Sequence, residues 1–239
     1  MQTTEEVVTH TASRIRCLAR VTCSSSIVAS LILLPSLARG EPLWGFAAYG
    51  GYSSYAMGDV NDVVEALNDA LREGGSPLQI DEINGGPTYG FGVRLYTSDH
   101  ARFALDYERL PASTGIEDFP GPITFNTPAD ALTATMSYFP SSRSKARFGF
   151  GAGLGLYMSD GSSEFEVAGE GSQTNEWQGS GVGIHVLGQG DITISPALKL
   201  EVGAGYRHAK VGWGIGGADT GGDLDWSGFF SRIGLTLYP

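Results

Sequence analysis

Four histidines and two cysteines are all the imidazole and thiol chemistry this chain holds, so the residues able to act on a bond are few. His208 and Ser231 are a candidate base and nucleophile if adjacent strands turn both outward, but no outward carboxylate is placed to orient the histidine, and a serine nucleophile needs that third group. His185 falls on the opposite, inward parity and reads as a core polar residue. The stretch DTGGDLD, Asp219 to Asp225, gathers carboxylates of the kind that hold calcium or magnesium, without EF-hand spacing. A larger constellation is charged or strongly polar and recurs at alternate positions: Arg94, Arg102, Asp106, Glu108, Arg147, His185, Gln189, Asp191, Lys199, Glu201, Arg207 and Arg232. Mixed signs confined together either pair into a packed polar core or line a narrow charged channel.

Strands must position that constellation, because its period is two. RFGFGAGLGLYM, Arg147 to Met158, sets glycine at 149, 151, 153 and 155 against Phe148, Phe150, Ala152, Leu154, Leu156 and Met158. Strand glycines forgo packing and carry a backbone-entropy penalty, so one face is bare for a reason. Phe91, Val93 and Leu95 alternate with Gly92 and Arg94; Phe103 and Leu105 with Arg102 and Asp106; Val182, Ile184 and Val186 with His185, although Leu187 and Gly188 blur the middle of that run. Val202 alternates with Glu201, and Ile233, Leu235 and Leu237 with Arg232 and Gly234. With Leu43 to Ala56, where Trp44, Phe46, Ala48 and Tyr52 are assigned outward, and Ala131 to Phe139, the chain predicts eight strands.

The connections alternate in length. TSDHA, PSSRSKA and SPA are short; Met57–Gly86, Pro111–Asp130, Ser159–Ser180 and Gly212–Asp223 are long. The first long one holds Val60, Val63, Val64, Leu67 and Leu71 at helical spacing, with Asp59 to cap the start and Gly74 to end it. Short turns at one end and long loops at the other is the threading of a barrel in an outer membrane. A water-soluble barrel would coat its second face with Lys and Glu; here that face is mostly Gly, Ser, Thr and Ala with isolated charges, which suits the crowded interior of eight strands. The fold class expected is therefore all-β: an eight-stranded antiparallel up-and-down transmembrane β-barrel with one short helix in the first long loop. Its lipid-facing set is Phe91, Val93, Leu95, Phe103, Leu105, Phe148, Phe150, Leu154, Leu156, Ile184, Val202, Ile233, Leu235 and Leu237.

Residues 1–40 read as a removable signal peptide: Arg14, Arg16 and Arg20, then the apolar run Ile27 to Ala38, too short to span a bilayer, then a small-residue site at Ala38 and Gly40. Residues 41–239 form the barrel domain. Both cysteines, Cys17 and Cys23, fall in the leader, so disulfides and thiolate metal sites are excluded from the mature chain. Cleavage removes four of the 15 basic and two of the 26 acidic residues, leaving a net charge of −13, which argues against nucleic acid as a partner.

The pattern resembles the small OmpX/OmpW-type outer-membrane barrels from about Leu43 onward. Arg232, Gly234 and Leu237 match the assembly signal of such barrels, which departs at its last position, Pro239, with Tyr238 one place early. The resemblance implies a bacterial outer-membrane location with loops extracellular and both mature termini periplasmic. Outer-membrane lipid and the barrel-insertion machinery are then the partners, with divalent cations at the acidic loops a further candidate, and no cofactor. It implies a non-enzymatic structural or surface-binding role. The alternatives are passage of a small apolar solute through the barrel mouth and, third, lipid modification; the deacylase kind of barrel carries an outward His-x-Ser pair, which is absent here.

Overall fold

The computed structural model describes residues 43–116, 122–140, 145–167, 171–215 and 218–239. The leader, its cysteines and the residues from 1 to 42 lie outside them. In chain order the elements are β1 (Leu43–Ser54), α1 (Gly58–Glu73), β2 (Gly85–Tyr96), β3 (Ala101–Leu110), β4 (Ser113–Ile116), β5 (Ile123–Asn126), β6 (Ala129–Tyr138), β7 (Ala146–Val167), β8 (Gly171–Ser195), β9 (Leu198–Ile215), β10 (Ala218–Asp225) and β11 (Gly228–Leu237).

Eight of these strands close into an antiparallel ring, β1-β2-β3-β6-β7-β8-β9-β11, with β11 returning to β1. The stagger follows from the register. Partners lead from Leu43 through Tyr96, Arg102, Ser137, Gly151, Leu187, Gly205 and Phe230 back to β1 at Ser53, ten residues above the start. Such a shear requires strands tilted by about 35–45° to the barrel axis.

Side chains alternate across this wall. Phe91, Phe148, Phe150, Leu154, Ile184, Ile233, Leu235 and Leu237 are exposed outward, together with Trp44, Phe46 and Tyr52. Arg94, Arg102, Asp106 and Asp191 are buried inside. The inward glycines make room for them: a Cβ on Gly92 would lie 2.1 Å from an Asp106 carboxylate oxygen, and one on Gly153 would lie 2.6 Å from the His185 ring. The blurred stretch of β8 keeps its period without a bulge. Leu187 is buried inside and Gly188 faces out, which inverts the polarity set by His185 and Val186 just before them.

The long connections differ from the loops expected. Ser159 to Val167 and Gly171 to Ser180 continue the β7–β8 ladder without a break, so that connection is a projecting hairpin. Residues 111–130 contain a smaller hairpin, β4–β5, whose second strand pairs with β7. β9 likewise runs on to pair with β10. Between mostly hydrophilic residues, ladder hydrogen bonds satisfy the backbone without an apolar face, so alternation of hydropathy does not announce these extensions.

Helix α1 begins at Gly58, and its N-cap is Met57, not Asp59. Met57 takes a left-handed conformation (φ 40°), and its N–H donates to the Asp225 carbonyl at 3.0 Å, so a tertiary contact fixes the helix start. The Asp59 carboxylate instead accepts from the Asp223 N–H at 2.8 Å. Gly74 closes the helix, as its spacing predicts.

Candidate functional site

The inward row is built from all eight ring strands and forms a central network of hydrogen bonds and ion pairs, with two smaller sets nearer the loop end. Arg94 on β2 pairs with Asp106 on β3 and donates through Nε to Glu201 on β9 at 3.0 Å. Arg102 bridges Asp191 on β8 (3.0 Å) and Glu201 (2.8 Å), and also donates to Gln189 at 2.5 Å. Arg147 on β7 reaches Asp191 at 2.9 Å, and the Tyr96 hydroxyl donates to the same carboxylate at 2.5 Å. Arg232 on β11 pairs with Asp106 at 3.3 Å. Nearer the loop end, Arg207 contacts Glu108 at 3.3 Å and Ser53 on β1 at 2.8 Å, while β6 enters through Thr135, which shares a 2.8 Å hydrogen bond with the His185 ring.

These groups are nearly dry, and an ion held away from water is stable only with partners of opposite charge and satisfied hydrogen bonds. Each buried carboxylate of the network contacts at least one guanidinium. The free space matches a packed core: a void lined by Glu108, Thr133, Tyr157, His185, Arg207 and Arg232 measures about 10 Å³, room for one water at most.

Both ends of the lumen are stoppered. At the end of the short turns, Tyr96, Phe139 and Tyr238 form an aromatic floor. Lys199 sets its ammonium 4.2 Å from the Tyr96 ring and 4.6 Å from the Tyr238 ring, and Arg147 stacks on Tyr96 and Phe139 at 4.8 and 4.7 Å. Cation–π contact keeps these charges at the lumen mouth without a carboxylate for each. At the opposite end an apolar cluster fills the opening: Tyr55, Leu110, Tyr157, Val211, Leu224 and Trp226 from the wall, with Val64 of α1 and Ile80 and Ile83 from the segment after it. Val60, Leu67 and Leu71 pack onto that cluster, whereas Val63, expected in the same stripe, is half exposed. Burial pushes the Tyr55 hydroxyl well above its usual pKa, so it stays neutral in this plug.

Two asparagines hold the segment after α1 against the helix. Asn61 accepts from the Ile83 N–H (2.8 Å) and donates to the Ile83 carbonyl (3.2 Å); Asn68 does the same to Ile80 at 2.7 and 2.9 Å. Two turns apart on one helix face, they imitate the pairing of a β-strand and satisfy backbone that the plug would otherwise strand. The sequence signal for them is a polar residue at i and i+7 beside the apolar stripe. Thr236, which donates to Glu201 at 2.6 Å, and Ser53 are network members hidden among small inward residues.

The other candidates do not assemble. His208 Nδ1 lies 3.0 Å from the Ser227 hydroxyl, while Ser231 stands opposite Ala204, four residues along β9 from His208. Among the described residues no group of three or more His, Cys, Asp or Glu side chains is placed to hold a metal ion. The side chain of Asp219 lies outside the described residues. The acidic residues Asp59, Asp62, Glu65, Asp69, Glu73, Asp81 and Glu82 around α1 are exposed.

No family model matches the chain, and no curated protein does. Solved structures of similar fold include Neisserial surface protein A, at 17% identity over 82% of this chain and 95% of that one, with a TM-score of 0.43. The outer membrane protein OprG from Pseudomonas aeruginosa matches at 12% identity over 83% and 94% of the two chains, TM-score 0.43. CarO2 from Acinetobacter baumannii matches at 10% identity over 84% and 100%, TM-score 0.39.

Proposed function

We propose that this chain is a bacterial outer-membrane barrel with a closed lumen, non-enzymatic, that braces the envelope and presents its acidic helix and long hairpins to the exterior. The observation that carries the reading is the inversion of the wall. Phe148, Phe229, Met136 and Val182 are each about two-thirds exposed or more, alongside Phe91, Phe150, Leu154 and Ile233, while arginines and carboxylates fill the centre. Soluble monomers rarely expose contiguous apolar patches beyond a few hundred Å². Leaving each such side chain in water forgoes roughly 1.5–3 kcal/mol, and lipid removes that penalty. The outward row of β7 from Phe148 to Met158 covers roughly 33 Å along the strand, or roughly 25 Å of height once tilted, the thickness of the apolar band of such barrels. No described helix is long and apolar enough to cross a membrane, which leaves crossing to the strands.

The short turns and both strand termini then face the periplasm, and the hairpins face outward. The last outward residue of β11 is Leu237, with Tyr238 turned into the lumen floor. The apolar plug under α1 favours one second reading, passage of a small apolar solute at the mouth, which requires α1 to swing off the barrel. Heat-shifted electrophoretic mobility together with fractionation in the outer membrane is the expected result for the leading reading; a monodisperse soluble protein without detergent would sink it. Planar-bilayer conductance and uptake of an apolar dye separate the two readings. Both are expected near background with and without residues 57–86, and dye uptake above background would favour passage.

A further inference from the structure

The lumen is balanced in charge except at one end. Glu108 takes Arg207, and Asp106, Asp191 and Glu201 suffice for Arg94, Arg102 and Arg232. Arg147 has a share of Asp191 alone, and among the described residues Lys199 pairs with no carboxylate. One guanidinium and one ammonium are therefore in excess, both at the end of the short turns. Lys145, two residues before Arg147, adds an exposed cation there, and Asp99 is the one acidic side chain in the described part of those turns. The opposite end is acidic, with Asp59, Asp62, Glu65, Asp69 and Glu73 exposed on α1.

The floor gathers the two surplus cations. The Lys199 ammonium and the Arg147 guanidinium stand 4.2 and 4.8 Å from the centre of the same Tyr96 ring. Tyr96, Phe139 and Tyr238 are buried, whereas Arg147 and Lys199 keep partial exposure, so the cations and not the rings meet the medium. Arg147 spends Nη2 on Asp191 and on the Tyr96 hydroxyl, at 2.9 and 2.6 Å, while Nη1 makes a long hydrogen bond of 3.4 Å to the Asp99 carbonyl. An aromatic face attracts a cation but carries no net charge, so it holds the pair in place without cancelling it. Low-dielectric walls focus the remaining field onto the opening and raise the local concentration of anions there.

We infer that this mouth binds a phosphate group, with Lys199 Nζ and Arg147 Nη1 donating to its oxygens. A phosphate monoester carries roughly −1.5 to −2 near neutral pH, which matches two surplus cations, and its oxygens can accept from both. A carboxylate brings a single charge and leaves one cation unmatched. The site itself stands on the ion pairs of the lumen; that it faces the periplasm rests on the membrane reading above. There the phosphate has two sources, a soluble phosphate and the headgroup of a phospholipid at the rim.

The test uses the full chain in uncharged maltoside micelles and a phosphate-free buffer. Inorganic phosphate is titrated in and followed by its phosphorus NMR line width, which is expected to broaden saturably. Lys199→Gln, which breaks no ion pair among the described residues, is expected to weaken this binding roughly tenfold, the loss of one charge-assisted hydrogen bond, and Lys199→Arg to retain it. Lys210→Gln, which removes an exposed lysine toward the opposite end, is expected to change nothing. On the unsubstituted chain, acetate is expected to compete roughly tenfold more weakly than phosphate, since it answers one of the two charges. Phosphatidylglycerol added to the same micelles supplies the second source, with native mass spectrometry counting the lipid retained. Retention that Lys199→Gln abolishes assigns the site to the headgroup, and phosphate binding without retention assigns it to a soluble phosphate. Saturable binding of neither, acetate competing as well as phosphate, or equal losses in Lys199→Gln and Lys210→Gln overturns the inference. Heat-shifted mobility is scored for every variant: its absence from the unsubstituted chain counts against the membrane reading, and a shifted barrel that binds no phosphate counts against this site alone.

Discussion

The lumen and the mouth of this barrel are both closed, by opposite means. In the lumen Arg102 holds Asp191, Glu201 and Gln189 at once, and the two carboxylates each contact further strands, so the filling is directional. At the mouth Leu110, Trp226 and Val64 fill space without direction, and Asn61 and Asn68 fasten the segment after α1 to the helix. The difference teaches where each kind of closure can fail. A charged network loses most when one member is removed, because the remaining ions stay buried; an apolar plug loses in proportion to the volume deleted.

The largest effect is therefore expected for Arg102→Met. The substitution leaves Asp191 with Arg147 and Glu201 with Arg94 but removes the guanidinium that joined them, for about 3–5 kcal/mol of stability. Urea unfolding in detergent micelles, followed by loss of the heat-shifted band, measures it. A loss below about 1 kcal/mol would show that the lumen is wet enough for water to replace the arginine. In the plug, Leu110→Ala is expected to lose about 2–4 kcal/mol by the same measurement, as for a fully buried leucine. If the mouth opens readily to admit solute, water relaxes that cavity and the loss is much smaller.

The same contrast decides what the sequence makes legible. Inward Arg94, Asp106 and Glu201 are readable because they alternate with Val93, Leu105 and Val202: period two shows itself wherever the two faces differ in polarity. Leu187 and Gly188 defeat that signal, since the apolar member is inside and the bare one outside. The β7–β8 extension has no strong contrast between faces to reveal it, and its backbone pairing carries no side-chain signature. Helix α1 is legible from the spacing of Val60, Val64, Leu67 and Leu71. Its cap is not, because the Asp225 carbonyl that holds Met57 comes from a distant part of the chain. The partners of Asn61 and Asn68 are backbone groups, which no residue type announces.

A smaller effect is expected at the fastening. Asn68→Ala removes both side-chain hydrogen bonds to Ile80, a loss of about 1–3 kcal/mol that falls on the segment and not on the ring. Hydrogen exchange reads the distinction: the Ile80 amide is expected to exchange at least tenfold faster, with the amides of β2 and β3 unchanged. Faster exchange throughout the ring would mean that the plug and the wall open together, and the two closures would then be one cooperative unit.

The smallest effect compares two glycines on the same wall. Gly188→Ala adds a methyl to free space facing outward and is expected to leave stability within about 0.5 kcal/mol, with strand propensity pulling toward a slight gain. Gly92→Ala drives the same methyl to 2.1 Å from the Asp106 carboxylate and 2.3 Å from the Leu105 carbonyl, so it displaces either the ion pair with Arg94 or the strand itself, for about 1–3 kcal/mol. Parallel urea titrations of the two variants read the sidedness of the barrel directly. Equal losses at both positions would mean that the outward face of β8 is packed against protein even in dispersed micelles. Loss at Gly92 alone ties the bare face of the wall to the ions it must accommodate.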